Sequence, residues 1–348
     1  MRAVVFNGPY DVSVETVPDA RVEQPSDVVV AVRAAGVCGS DLWTYRGQAN
    51  VTPGSRIGHE FVGEVVEVGS DVRGMAVGDW VIAPFRFSCG ECEYCRSGLP
   101  TSCVAGGFWS REVVEAGQGE FVRVPQADGT LVKVPGGAPS AERIPSLLTL
   151  SDVLPTGVHA VTKAGVSSGS TAVIIGDGAV GQCAIIAARR AGAEEIIVLG
   201  GQHSDRKSLA EQFGANLFLS ERGDDAVEAV LEHTTGRYPD HVVECVGTGG
   251  SFDTAVKLAR PGSTIGYVGL PHGVNLDVAR LFARNIGIAG GVASARYYAP
   301  LLLDDVLEGR LNSGAVFTAE LGLEQAALAY QLMDERRTIK ALLKPEAV

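Results

Sequence analysis

Cys89-Gly90-Glu91-Cys92-Glu93-Tyr94-Cys95-Arg96-Ser97-Gly98-Leu99-Pro100-Thr101-Ser102-Cys103 holds four of the chain's seven cysteines. Spacings of two, two and seven intervening residues let one folded lobe aim four sulfurs at a common centre. Gly90, Gly98 and Pro100 supply the tight turns that such a wrap needs. Four thiolates around a tetrahedral zinc leave no open position, so the expected metal is structural. Two disulfides are the alternative. Neighbouring cysteines in a short loop pair badly, and nothing else in the chain reads as secreted.

At 348 residues the chain exceeds the ~250–300 residues that one hydrophobic core serves, so two domains are expected. A net charge of −12 argues against nucleic acid or an anionic membrane as a partner. No apolar run approaches the ~18 residues of a bilayer span. Met1 to Pro9 reads as a strand and turn, not as a signal peptide, which makes a cytoplasmic location the expectation.

Up to about residue 150, short Val-rich runs are punctuated by Gly and Pro: Val12–Val17, Val28–Ala34, Phe61–Val68, Trp80–Ala83, Phe121–Val124 and Leu131–Val134. This is the pattern of an antiparallel β domain with long loops. From Thr171 the character changes, and apolar strands alternate with helical patterns. Repeated β–α units predict a parallel, doubly wound sheet, so the class is α/β. Beyond Tyr298 come helix-like stretches at Ala299–Leu307 and Leu323–Met333 and a strand-like Ile339–Leu343. The expected division is 1–152 with 292–348, and 153–291.

Gly176-Asp177-Gly178-Ala179-Val180-Gly181 follows the strand Ala172–Ile175 and opens a helix. Gly176 makes the turn, Gly178 admits a pyrophosphate and Gly181 permits close helix–strand packing, while the start of the helix at Ala179 and Val180 supplies unpaired N–H groups. At the end of the next strand, where an acid would hold the ribose of NAD, stand Gly200 and Gly201, followed by His203, Arg206 and Lys207. Loss of the carboxylate and gain of cations favour NADP(H) over NAD(H). Asp205 is the competing acid.

Gly58-His59-Glu60-Phe61-Val62-Gly63 with Gly69 resembles the signature of the zinc-containing medium-chain alcohol dehydrogenases. The likeness extends over the whole chain. It includes Cys38-Gly39-Ser40-Asp41, the cysteine lobe, Gly119-Glu120-Phe121-Val122-Arg123-Val124-Pro125 and the glycine fingerprint. It implies a GroES-like β-rich catalytic domain and a Rossmann domain, with the active site in a cleft that closes on cofactor binding. It also implies two zinc ions per chain, the catalytic one on Cys38, His59 and Asp152. Aspartate at the third position keeps two anionic ligands and one neutral imidazole. Glu60 resembles an exchangeable or supporting ligand, Ser40 the hydroxyl that passes on the alcohol proton, and Thr156 the residue against the nicotinamide. Lys340 falls where a basic residue faces the pyrophosphate. Trp43, Phe85 and Trp109 match positions of the substrate pocket. Trp43 replaces a histidine often present in the family, and a donor-only indole cannot relay a proton.

The expected reaction is hydride exchange between NADP(H) and a small alcohol, aldehyde or ketone, with the zinc acidifying a bound alcohol. A polyol or sugar-alcohol dehydrogenase on the same scaffold is one alternative, and an inactive NADPH-binding protein is another. A homo-oligomer, tetramer or dimer, is expected.

Overall fold

The computed structural model describes residues 1–345 except 110, 112 and 114. The chain forms two compact units, Met1–Asp152 with Ser294–Val348, and Val153–Ala293. Among the described residues, no helix is long and apolar enough to cross a membrane.

The first unit is built around the strand Val28–Val37, whose sequence VVVAVRAAGV is buried at every position but Arg33. β-Branched side chains suit a pleated surface packed on both faces. Three partners share this strand. Glu60–Val68 pairs antiparallel along most of it, Phe121–Val124 pairs with its first residues, and Lys340–Lys344 pairs with its last. Irregularities at Val29/Val30 and Val32/Ala34 bend the strand, which lets one element serve several neighbours. Trp80–Ala83 and Val132–Lys133 continue the sheet on one side, and Phe317–Gly322 lies parallel to Lys340–Lys344 on the other.

The second unit is a six-stranded parallel sheet. Across it run Leu217–Leu219, Glu195–Leu199, Thr171–Ile175, His241–Glu244, Thr264–Tyr267 and Gly287–Gly290. Ala172 and Ile174 enter one apolar cluster, and Val173 and Ile175 enter another. Side chains alternate across a strand, so helices must cover both faces. Chain order reverses between Thr171–Ile175 and His241–Glu244. That switch point is where open α/β sheets take a nucleotide, beyond the carboxyl ends of the strands.

The helix Ala295–Leu307 begins four residues before the Ala299 expected from the pattern. Pro300 lies inside it, and a proline is normally read as a first-turn residue because its ring obstructs the preceding turn.

Candidate active site and metal centres

In the cysteine lobe all four thiols are free, and their sulfurs lie within 4.8 Å of one another. The separations are 3.4 Å for Cys103–Cys89, 3.5 Å for Cys92–Cys95 and 4.0 Å for Cys89–Cys95. A disulfide would bring two sulfurs to about 2.05 Å. The edge of a tetrahedron with ~2.3 Å zinc–sulfur arms is about 3.8 Å. The spacing is that of metal ligands. Gly90, at φ 76°, makes the turn between the first two cysteines, and such a φ favours glycine. The amides of Glu91 and Cys92 donate to Cys89 Sγ at 3.4 and 3.3 Å. Backbone N–H groups of Cys95 and Val104 pull the Cys92 thiol down to about 6. Burial, then hydrogen bonding with Cys92 and Cys103, pushes Cys95 up to about 12.

A second cluster gathers Cys38, His59, Glu60 and Asp152, again with one ligand atom each inside 4.8 Å. Sheet register explains it. Gly36 pairs with Glu60, so Cys38 just past one strand and His59 just before its neighbour share one edge. Asp152 follows the helix Ile144–Thr149, and its turn is tied in by Phe85 N donating to Ser151 O at 2.9 Å. Cys38 Sγ lies 3.5 Å from Asp152 Oδ2, and His59 Nε2 lies 3.3 Å from the same oxygen. Glu60 Oε2 is buried with no hydrogen-bond partner among the described residues. A soft sulfur, an imidazole and carboxylates converging on one point fit a zinc-type cation.

The orientation of His59 is fixed from behind. Its Nδ1 is 3.1 Å from Asp41 Oδ1, which leaves Nε2 for a metal. The sequence motif alone assigns Asp41 no role, although an acid three residues past the cysteine is a legible signal. Burial opposes charge on His59. The charge of Asp41 and hydrogen bonds to Asp152, Asp41 and Cys38 outweigh it and push the imidazole well above its usual range. Cys38 is pushed up to about 11 by burial, then by Asp152 and Glu60.

Lys340, expected to face the cofactor pyrophosphate, is 1% exposed, and its Nζ lies 2.7 Å from Glu60 Oε1 while donating to Val37 O at 3.1 Å. Ala341 pairs with Val37, so the first residue of this strand turns its side chain into the interior. Burial disfavours the ammonium, but Glu60, Cys38 and Asp152 hold its pKa above the ordinary lysine value.

Trp109 also departs from expectation. It is fully buried, with ring centroids 5.3 Å from Phe61 and 5.7 Å from Phe87, and its Nε1 donates to Pro84 O. This is core, not substrate pocket. The residue at His59 is its neighbour Phe108, 5.0 Å away between centroids, with Phe85 at 6.5 Å. Adjacent residues of an extended chain face opposite ways, so a one-residue error exchanges pocket for core. Trp43 is half-buried in the short helix Asp41–Tyr45, with Ser40 at its start.

In the second unit, Gly178 caps the helix Ala179–Arg190. A Cβ on Gly181 would lie 2.0 Å from Gly176 O, so only glycine fits there. Thr156 is buried in the helix Val153–Ala164. Asp177 organises the turn at Gly201: its Oδ2 accepts from Gly201 N at 2.6 Å, and its Oδ1 lies 3.4 Å from Arg206 Nη1. Arg206 is therefore buried against Asp177 instead of being presented outward. A Cβ drawn on Gly201 would come within 3.4 Å of His203 Cδ2 and 3.8 Å of Arg222 Nη2. Arg222 escaped sequence reasoning because it follows the next strand, and only parallel pairing of Glu195–Leu199 with Leu217–Leu219 brings it near.

Comparison with known proteins agrees with this architecture. The alcohol dehydrogenase GroES-like domain matches residues 24–136, and the zinc-binding dehydrogenase domain matches residues 179–307. The chain belongs to the zinc-containing medium-chain alcohol dehydrogenase family and is an oxidoreductase of that class. Zinc-type alcohol dehydrogenase B of Aspergillus flavus is 35% identical over 99% of this chain and 81% of that protein. Formaldehyde dismutase of Pseudomonas putida is 31% identical, over 100% of this chain and 98% of that protein. The solved alcohol dehydrogenase of Thermus sp. ATN1 superposes with a TM-score of 0.90 at 32% identity, covering 99% and 100% of the two chains.

Proposed function

We propose that the protein is a zinc-dependent alcohol dehydrogenase or carbonyl reductase working with NADP(H), in which Cys38, His59 and Asp152 hold the catalytic metal and the cysteine lobe holds a structural one. The observation that carries this reading is the meeting of those three side chains, far apart in sequence, within one 4.8 Å cluster. Zinc held there would supply Lewis-acid polarisation of an alcohol or carbonyl oxygen. Asp41 keeps His59 protonated at Nδ1 and so available as a ligand at Nε2. Ser40 offers a hydroxyl that both donates and accepts, and passes the substrate proton onward. Trp43 cannot accept a proton, so the relay bypasses it. Phe85 and Phe108 line the His59 side with apolar rings, which favours simple alcohols and aldehydes over polyols. The formaldehyde dismutase relative puts one-carbon aldehydes first in a substrate panel.

The preference for NADP(H) is supported by the absence of an acid at Gly200–Gly201 and by His203 and Arg222 around that turn. Asp177 is countered by Arg206, so the phosphate contact falls to His203 and Arg222. We also take the protein to be a cytoplasmic homo-oligomer. Metal analysis together with kcat/KM for NADP and NAD tests the assignment. Two zinc ions per chain and at least tenfold preference for NADP are expected; one zinc overturns the catalytic site, and preference for NAD overturns the phosphate assignment.

A further inference from the structure

Behind His59 and Asp41 lies a further layer that the mechanism has not used. Gln118 is fully buried. Its Nε2 donates to Gly36 O at 3.0 Å and to Asp41 Oδ2 at 3.3 Å, and its Oε1 accepts from the hydroxyl of Tyr330 at 2.9 Å. Asp41 Oδ2 also accepts from Cys38 N at 2.9 Å, while Oδ1 faces His59. The result is a buried line of side chains from the helix Ala326–Asp334 to the imidazole.

Each group in this line has only one workable orientation. Turned over, the Gln118 amide would press its oxygen against Gly36 O and Asp41 Oδ2, two acceptors, and leave its NH2 against the Tyr330 hydroxyl. The Tyr330 O–H on Oε1 opposes that flip. Burial, and then the charge of Asp41, keep the Tyr330 phenol protonated, so it remains a donor. The backbone of Gln118 is pinned as well: Gly117 N donates to Gly58 O at 2.8 Å, Gln118 N to Ile57 O at 3.3 Å, and Gln118 O accepts from Val4 N at 2.8 Å. The same segment that carries the amide therefore clamps the loop that carries His59.

We propose that Gln118, locked by Tyr330, is a positioning residue for the catalytic metal, holding Asp41 where it fixes the tautomer and ring angle of His59. This rests on the reading of His59 as a metal ligand. Removing the amide leaves Cys38 N as the one remaining donor described on Asp41 Oδ2, so the carboxylate is held less tightly and the imidazole angle loosens while the fold persists.

The test uses whole protein with zinc in the lobe and cobalt(II) exchanged into the Cys38–His59–Asp152 site. Gln118→Met, Tyr330→Phe and the double variant are compared with the unmutated chain by visible cobalt spectrum and by cobalt release to a chelator. Thermal midpoint and lobe zinc content monitor the fold. Release is expected to quicken about 10-fold in Gln118→Met, the low end of the scale on which outer partners of metal ligands tune affinity, and by a smaller factor, about 3-fold, in Tyr330→Phe, which is one link further from the metal, with altered cobalt bands in both. The double variant should match Gln118→Met alone, because both residues act through one link. Unchanged spectra and release in the folded variants, or additive effects in the double variant, overturn the proposal. If Gln118→Met does not fold, Tyr330→Phe decides by itself, and unaltered cobalt bands and release in that variant overturn the proposal. Failure of the unmutated chain to take cobalt at this site, with the lobe filled, instead removes the reading of the site, and the proposal with it.

Discussion

Replacing Lys340 with Met isolates the buried ion pair beneath the catalytic cluster. Methionine nearly fills the lysine volume, so the change removes charge and a donor rather than packing. Glu60, 0% exposed, is then left as an unpaired carboxylate. Breaking such a pair costs about 3–5 kcal/mol when the remaining charge stays buried. Protonation sets a ceiling on that term. Burial already pushes Glu60 above its ordinary 4.5, with Lys340 opposing, and without the lysine it rises further. Keeping a carboxyl neutral at pH 7 costs about 3.4 kcal/mol, at ~1.4 kcal/mol per pH unit above the unfolded value. The lost hydrogen bond to Val37 O adds about 1 kcal/mol. A deficit of about 3–4 kcal/mol at pH 7 is therefore expected. Its sign with pH follows from linkage: in the variant the folded state holds a proton that the unfolded chain releases above 4.5, so the deficit shrinks as pH falls towards that value. Denaturant unfolding at pH 5, 6, 7 and 8 measures it, with the lobe filled and the Cys38–His59–Asp152 site stripped of metal, because a cation beside Glu60 would itself offset the carboxylate charge. Glu60→Gln with Lys340→Met should recover most of the loss, since no buried charge remains. A deficit below about 1 kcal/mol at pH 7 and flat with pH would refute the reasoning, because the ceiling just derived depends on proton uptake.

Trp109→Ala should destabilise by about 3–5 kcal/mol, as expected of a large aromatic in a core, and Trp109→Phe should leave the substrate profile unaltered in kcat/KM measurements. Phe108→Ala should shift that profile towards bulkier alcohols. Loading metal into the Cys38–His59–Asp152 site near pH 8 should release about two protons, from a thiol whose pKa is about 11 and from an imidazole held above its usual range; an indicator-dye titration reads this, and no release contradicts both assignments. Arg222→Gln should raise KM for NADP about 10-fold, on the scale of a charge-assisted phosphate contact, while KM for NAD stays within twofold.

Much of this was legible in the sequence because the signals were local. The fingerprint at Gly176–Gly181, the cysteine spacing and the strand Trp80–Ala83 are each written in consecutive residues. Cys38, His59 and Asp152 were reachable only through resemblance, since nothing in their spacing says that they meet. Phe317–Gly322 was missed as a strand because half its residues are solvent-facing and it owes its place to pairing with Lys340–Lys344. The carboxylate partners of Lys340 and Arg206 were hidden in the sequence for a common reason. A cation in sequence looks like a ligand for a phosphate, but whether it faces outward depends on a carboxylate contributed by a distant segment, Glu60 in one case and Asp177 in the other.

The interleaving of Lys340–Lys344 between Val28–Val37 and Phe317–Gly322 has a consequence for biosynthesis. When residue 152 leaves the ribosome, every candidate ligand of the catalytic metal has been made, yet Glu60 still lacks its counter-charge and the sheet its inner strand. At 5–20 residues per second the missing strand emerges on the order of 10–40 s later. During that interval the cysteine lobe, complete in itself, can already capture its ion. On the proposed zinc assignment, metallation of the nascent chain would fall into two stages, with the Cys38–His59–Asp152 centre sealed only after residues 153–293 have been synthesised.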